Sequence, residues 1–299
     1  MSVAKCNGTF GELVQGKISG QNFMITCPIN RYSYAYFSAS VSVSTNYADA
    51  NCDVHDKNDN EKGVQLLTPE RHKAYLACLK VLDQHGLPRK GSLRIESDLI
   101  PGKGMASSSA DIVATCRAVA KFHHLILSEK LIAQIAATIE PTDGVMYEEI
   151  VAFDHHRGVL IEPFGNINFD IIGVVPSGCI NTVTYDSKKI KYNLKELKAL
   201  EEAFLVIKKG IFDNNLSLVG RGSSISALIN QSYLPKNHIK KLLEISKKSG
   251  GKGVIVAHSG TVIGVIVDPI LGNEKKSIQL AIEDLYGCSS EIFRNRDLF

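Results

Sequence analysis

One run, Pro101-Gly102-Lys103-Gly104-Met105-Ala106-Ser107-Ser108-Ser109-Ala110, constrains this chain more than any other segment. It follows a strand-like stretch, Gly91 to Ser97, in which Leu93 alternates with Ile95, and it opens into a helical pattern from Ala110 to His123. A strand that turns through glycines into a helix leaves unpaired N–H groups at the helix start, where the positive end of the backbone dipole attracts anions. Gly102 and Gly104 permit close backbone approach, and three successive serines add hydroxyls suited to phosphate or Mg²⁺. The same residues would also serve as a plain turn in which Ser107 or Ser108 caps the helix. A Walker A loop is excluded, because Lys103 precedes the last glycine and no Lys-Ser or Lys-Thr pair follows.

The remaining pattern mixes helices with strands. Gln21 to Thr45 reads as extended strands, Thr68 to His85 as a helix stopped by Gly86 and Pro88, and Ser128 to Glu140 as a helix ended by Pro141. Strands are expected at Val145 to Phe153 and Gly158 to Ile161. Pro, Gly and Asn cluster between Pro163 and Asn168, which predicts a boundary separating residues 1–165 from 166–299. Beyond it come a strand from Phe169 to Val175, helices at Leu194 to Lys208, Leu216 to Gln231 and Pro235 to Lys248, strands at Gly253 to His258 and Thr261 to Val267, and a helix from Lys275 to Leu285. Strands arriving in neighbouring groups, without regular strand-helix alternation, predict an α+β architecture of two domains. No internal repeat is visible.

Composition narrows the function class. At 299 residues and 44% hydrophobic, the chain can bury one large core or two ordinary ones. Lys+Arg number 34 against 31 Asp+Glu, a formal +3 too small to imply nucleic-acid binding, and the lysines near 188–198 and 236–252 read as solvated helix surfaces. Apolar stretches such as Val254 to Val267 are broken by His258, Ser259, Gly260 and Gly264, so no membrane span is expected. The N-terminal residues lack a secretory pattern, and a cytoplasmic address is the expectation. The seven cysteines stand singly, which predicts reduced, mostly buried thiols. The adjacent pairs His123/His124 and His155/His156 point apart on helix or strand and predict no metal centre. The Asp-rich stretch from Asn46 to Gly63 lacks the Gly and closing Glu of a calcium loop and reads as solvated. Nothing in the pattern sets an oligomeric state.

Three further segments carry candidate chemistry. Residues 6–16, CNGTFGELVQG, are punctuated by glycine and offer Gly11, Glu12 and Gln15 beside apolar strand material. Glu140-Pro141-Thr142-Asp143-Gly144 follows the second helix. Phosphoryl transfer to an alcohol gains from a carboxylate that orients the hydroxyl and accepts its proton, and Asp143 is the candidate. Glu140 is a candidate for Mg²⁺, although a glutamate at a helix end before proline is more often simply solvated. Ala257 to Gly264 contributes Ser259, Gly260 and Thr261. A hairpin loop, an Asp-Gly turn and a Ser-Gly turn would account for the same three segments structurally.

The 101–110 segment resembles the second motif of the GHMP small-molecule kinases, with Met105 in place of Leu and Ala106 in place of the second Gly. The first swap conserves volume, while the Cβ of Ala106 argues against a left-handed backbone there. The wording of 11–16, Cys27-Pro28, 101–111, 140–144, Phe153 to His156 and 257–262 is similar, within that superfamily, to the bacterial L-threonine kinases of cobalamin assembly. The resemblance implies the two-domain fold of the superfamily, an N-terminal ribosomal-S5-like α+β domain and a C-terminal ferredoxin-like one. It implies phosphorylation of L-threonine by ATP with Mg²⁺, L-serine, homoserine or another small alcohol being the rival acceptors and a non-catalytic nucleotide-binding regulator the rival class. By resemblance, residues 101–109 bind ATP, with Gly104, Ala106 and Ser107 at the triphosphate and Ser108 at Mg²⁺. Lys103 is either a cation over the phosphates or a solvated lysine. Asp143 is the implied base, and Gly11, Glu12, Gln15, Ser259, Gly260 and Thr261 line the acceptor pocket, Glu12 toward the ammonium.

Overall fold

The computed structural model describes residues 1–39, 63–177 and 190–295, which leaves the Asp-rich stretch and the lysines at 188 and 189 outside the described residues. The chain opens with a long antiparallel hairpin of β1 (Ser2–Ile18) and β2 (Gln21–Ser38). Ser19 and Gly20 turn it, both at positive φ (50° and 82°), the backbone twist that a two-residue hairpin needs. Then come β3 (Val64–Leu66), α1 (His72–Gln84), β4 (Gly91–Ser97), α2 (Ser107–Phe122), α3 (Glu129–Ala137), β5 (Ile150–Asp154) and β6 (Val159–Gly165). The second half holds β7 (Asp170–Val174), α4 (Leu194–Phe212), α5 (Leu216–Asn230), α6 (Ile239–Lys248), β8 (Gly253–Val256), β9 (Ile263–Val267), α7 (Glu274–Tyr286) and β10 (Ser290–Arg294).

The strands share one sheet in the order β10-β7-β9-β8-β1-β2-β4-β3, with β5 pairing β2 and β6. β1 joins the halves: it runs antiparallel to β2 along its length and meets β8 at Glu12 opposite Val256. Its register slips between Asn7 and Gly8, Thr9 and Glu12, and Glu12 and Val14. Such bulges re-aim side chains, and here they fall on the first glycine-punctuated motif. That motif therefore lies in the irregular middle of a 17-residue strand, with no separate hairpin loop.

Burial follows the strand period. On β8 and β9, Val254, Val256, Ile263, Val265 and Val267 face a smaller core with Leu242, Ile278 and Ile282, while Ile255 and Ile266 face the main core, so both faces are covered. α2 is buried almost all round, its Ala110, Ala114, Ala118 and Ala120 letting it sit close against β1 and β2. It starts at Ser107, three residues before the sequence pattern placed it. The segment 145–149, expected as strand, is a turn instead: Val145 and Met146 are buried, but their carbonyls accept from Cys6 Sγ and Arg117 rather than from a neighbouring strand. β10 escaped the sequence reading because only Phe293 of its five residues is fully buried, against Phe10 with ring centroids 4.7 Å apart.

Among the described residues no helix is long and apolar enough to cross a membrane, and no group of three or more His, Cys, Asp or Glu could hold a metal ion. Cys6, Cys27, Cys78 and Cys116 are free and buried, and burial raises their thiols well above the ordinary range.

Candidate active site

The glycine-serine loop between β4 and α2 is gripped from two sides. From β1, Thr9 N–H donates to the Met105 carbonyl (3.1 Å) and Gly11 N–H to the Gly104 carbonyl (2.9 Å). From the turn between β8 and β9, the Thr261 and Val262 N–H groups both donate to the Lys103 carbonyl, at 2.9 and 3.0 Å. The contact is backbone on backbone: a Cβ on Gly260 would lie 2.2 Å from the Gly104 nitrogen, and one on Gly104 would lie 2.2 Å from Ala257 Cβ. The three motifs, scattered over 250 residues of sequence, thus meet at one point. Gly260, Thr261 and Val262 brace the loop's backbone.

Gly102 and Gly104 take positive φ (72° and 84°), and Met105, 3% exposed, plugs the loop into the core. Ala106 also has a positive φ, 54°, against the expectation drawn from its Cβ. Its left-handed turn is the step that swings the chain into α2, and the hydrogen bonds on either side of it impose the strain that a glycine would avoid. No side chain caps α2. Ser107 and Ser108 are helical residues rather than caps, so the simple capping alternative is not what the chain does. The first intrahelical bond runs from Ala110 N–H to the Ala106 carbonyl, leaving the N–H groups of the first turn pointing out of the helix end.

The serines have different neighbours. Ser107 accepts a hydrogen bond from Arg71 (3.0 Å), which also pairs with buried Asp111 (2.9 Å). Ser108 is partly exposed on the outer side of the first turn. Ser109 turns inward, donating from its hydroxyl to Asp143 Oδ2 and accepting from Asp143 N–H, each at 3.1 Å. Lys103 is not solvated: it is 8% exposed, and its ammonium donates to the Pro176 carbonyl (2.7 Å).

Burial pushes the Asp143 carboxyl up to about 7, and the negative charge of Glu12 adds to the shift while the Ser109 hydroxyl opposes it. Glu12, 3% exposed, lies in the site and not in solvent. Its Oε2 accepts from both the backbone N–H (2.8 Å) and Nδ1 (3.1 Å) of His258. With its proton on Nδ1 the ring is free to accept from Ser226 at Nε2 (2.8 Å), and Ser226 Oγ accepts in turn from Gln15 N–H (3.4 Å). A buried chain of four polar residues from two elements and a turn therefore fixes the Glu12 carboxylate. Gln15 is buried with its Oε1 unpartnered. Glu140 pairs with Lys73 through Oε2, and its Oε1 is buried without a partner, an oxygen suited to a hard cation.

Four groups here were not legible as site residues. Arg71 was read only as part of a helix start. His155, part of the resembling segment Phe153 to His156 but given no site role, is buried with both ring nitrogens unpartnered, and burial holds it neutral, its pKa lowered to about 3. Ser226 carried no motif. Lys236, assigned to a solvated surface, is half-buried, donates its Nζ to the Gly260 carbonyl, and has its pKa lowered by burial to about 8 despite the opposing pull of Glu12. Nothing in its local sequence distinguishes it from the exposed lysines of α6.

Comparison with known proteins agrees with this geometry. Residues 72–146 match the family model of the GHMP kinases N terminal domain, the segment that contains the gripped loop and Asp143. A Streptococcus pneumoniae phosphomevalonate kinase, solved with phosphomevalonate and AMPPNP, superposes with a TM-score of 0.69 over 98% of this chain and 100% of its own, at 14% identity. The chain has the α+β fold seen in the GHMP kinases and is a phosphotransferase acting on an alcohol. Curated relatives narrow the resemblance. It is 29% identical to an L-threonine kinase of Salmonella typhimurium over 276 residues, 90% of this chain and 83% of the relative. It is 29% identical to an L-threonine kinase of Citrobacter freundii over 278 residues, 90% and 87% of the two chains.

Proposed function

We propose that the protein transfers the γ-phosphoryl group of ATP to the hydroxyl of free L-threonine, giving O-phospho-L-threonine and ADP for the aminopropanol linker of cobalamin. The observation that carries this reading is the Ser109 link, which ties the anion-attracting start of α2 directly to the Asp143 carboxylate. The loop 101–109 holds the polyphosphate through its backbone N–H groups and the helix dipole. Ser108 and the unpartnered Glu140 oxygen are the groups that would take Mg²⁺, which supplies charge neutralisation on the phosphates when bound. Asp143 orients the acceptor hydroxyl and takes its proton as the oxygen attacks phosphorus in line. Glu12 offers its fixed negative charge to the acceptor ammonium. On this reading the domain division falls in the link between β6 and β7, near residue 165.

The test is a phosphate-transfer screen across L-threonine, L-serine, homoserine and amino alcohols, each product identified by mass. Threonine is expected to give the highest kcat/KM, though one methyl group separates it from serine by only about 10–200-fold. Nucleotide binding without transfer to any of them would favour the regulator.

Asp143 must be ionised to act, so kcat/KM falls as pH drops through its raised pKa near 7. Ser109 donates to the ionised form and holds that pKa down. Ser109→Ala is therefore expected to move the acid limb of the pH–rate profile to higher pH, with the alkaline plateau reduced less than the rate at pH 6. An acid limb that stays put, or moves down, contradicts this coupling.

A further inference from the structure

Resting on the amino-acid reading above, we propose that Lys236 is the residue that binds the α-carboxylate of the acceptor. Its backbone is pinned, the N–H donating to Gln231 Oε1 (2.7 Å), and Gln231 is itself anchored by donating to the Ala227 carbonyl on α5. The side chain then reaches the turn between β8 and β9, where Nζ donates to the Gly260 carbonyl. A backbone carbonyl takes one of the three ammonium donors and carries no charge. Among the described residues no carboxylate forms an ion pair with it, so a half-buried cation stands in the site with its charge uncompensated at short range. Glu12 acts on it from a distance and is occupied by His258.

Two further buried groups near Ser226 lack polar partners. Asn230, on α5 one turn after Ser226, is 4% exposed with its Nδ2 unpartnered, and Gln15, which touches Ser226, has an unpartnered Oε1. Buried polar atoms in native proteins are rarely left unpaired without a role. A zwitterion supplies what is missing, a carboxylate for the ammonium and the amide donor, an ammonium for the acceptors. Asp143 at the hydroxyl, Glu12 at the ammonium and Lys236 at the carboxylate would make three separate attachment points, enough to select one enantiomer.

The experiment compares L-threonine with L-threoninol, in which CH₂OH replaces the carboxylate, in the wild-type enzyme and in Lys236→Met and Lys236→Arg. Wild type should use L-threonine with a kcat/KM about 10–100-fold above threoninol, the range of one charged hydrogen bond. In Lys236→Met the KM for L-threonine should rise by a similar factor, the preference over threoninol should vanish, and the KM for ATP should hold. Lys236→Arg should recover part of the preference. Equal use of the two acceptors by wild type overturns the inference even if the variants fail to fold. A change in KM for ATP alone assigns the cation to the polyphosphate and overturns it as well. Wild-type transfer to threonine that ignores Lys236→Met sinks this inference alone, whereas no transfer to any amino acid sinks the functional reading and this inference together.

Discussion

Asp143→Asn is expected to lower kcat by about 10²–10⁴-fold, the range for loss of a positioned general base, while the KM for ATP stays close to wild type. Asparagine keeps the shape and can still bond Ser109, so the loop that holds the nucleotide has no reason to move. The same substitution should raise thermal stability. Burial and the Glu12 charge favour the protonated form of Asp143 in the folded protein, with its pKa about 7, whereas the unfolded chain has the ordinary carboxylate value. Between those two values the folded state binds more protons, so the stability this residue contributes is present at low pH and is lost as pH rises to 7. Asparagine removes that loss. The variant should therefore melt about 2–5 °C above wild type at pH 8, discounting for the solvent that reaches the carboxylate, and show no difference near pH 4. Near-wild-type turnover would remove Asp143 from the role of base. A variant that is inactive and also less stable at pH 8 would mean that the carboxylate is structural.

That trade of stability for chemistry marks where sequence reasoning stops. The strand-to-helix loop, the helix ends at Pro141 and Gly86 and the pairing of β8 with β9 were legible because glycine, proline and alternating apolar residues act locally. Ala106 defeated local reasoning: its left-handed backbone is imposed by hydrogen bonds from Thr9, Gly11 and Thr261, residues remote in sequence. β1 was read as a motif beside a strand because three register shifts blur its period of two. Lys236 and Ser226 were invisible for a related reason. A lysine after a helix and a serine within one are commonplace, and only the fold, with α5 packed against β1, sets Ser226 on His258 and, through Gln231, carries Lys236 to Gly260. Glu12 itself was named from its motif, but its fixation by His258 spans 246 residues and could be supplied only by the fold.

The loop's dependence on those remote contacts makes Gly104→Ala the other large effect. The added Cβ would stand 2.2 Å from Ala257 Cβ, and the residue would have to hold φ of +84°, a region that side chains rarely adopt. Overpacking and backbone strain each cost about 1–3 kcal/mol, together a large share of the roughly 5–15 kcal/mol that stabilises an ordinary domain. Since Gly104 accepts from Gly11 and packs on Gly260, any relief must push the loop away from β1 or from the β8–β9 turn. Either movement spoils the alignment of the α2 start, so KM for ATP should rise steeply along with the loss of stability. A second substitution separates the two causes. Ala257→Gly removes the atom that the new Cβ meets, and the double variant should regain the steric part while keeping the strain of the positive φ. Coupling between the two sites, measured as a double-mutant cycle on melting temperature and on KM for ATP, is expected to be favourable in both readouts. If Gly104→Ala folds and binds ATP as wild type does, the loop is not held between the two halves in the way its hydrogen bonds require.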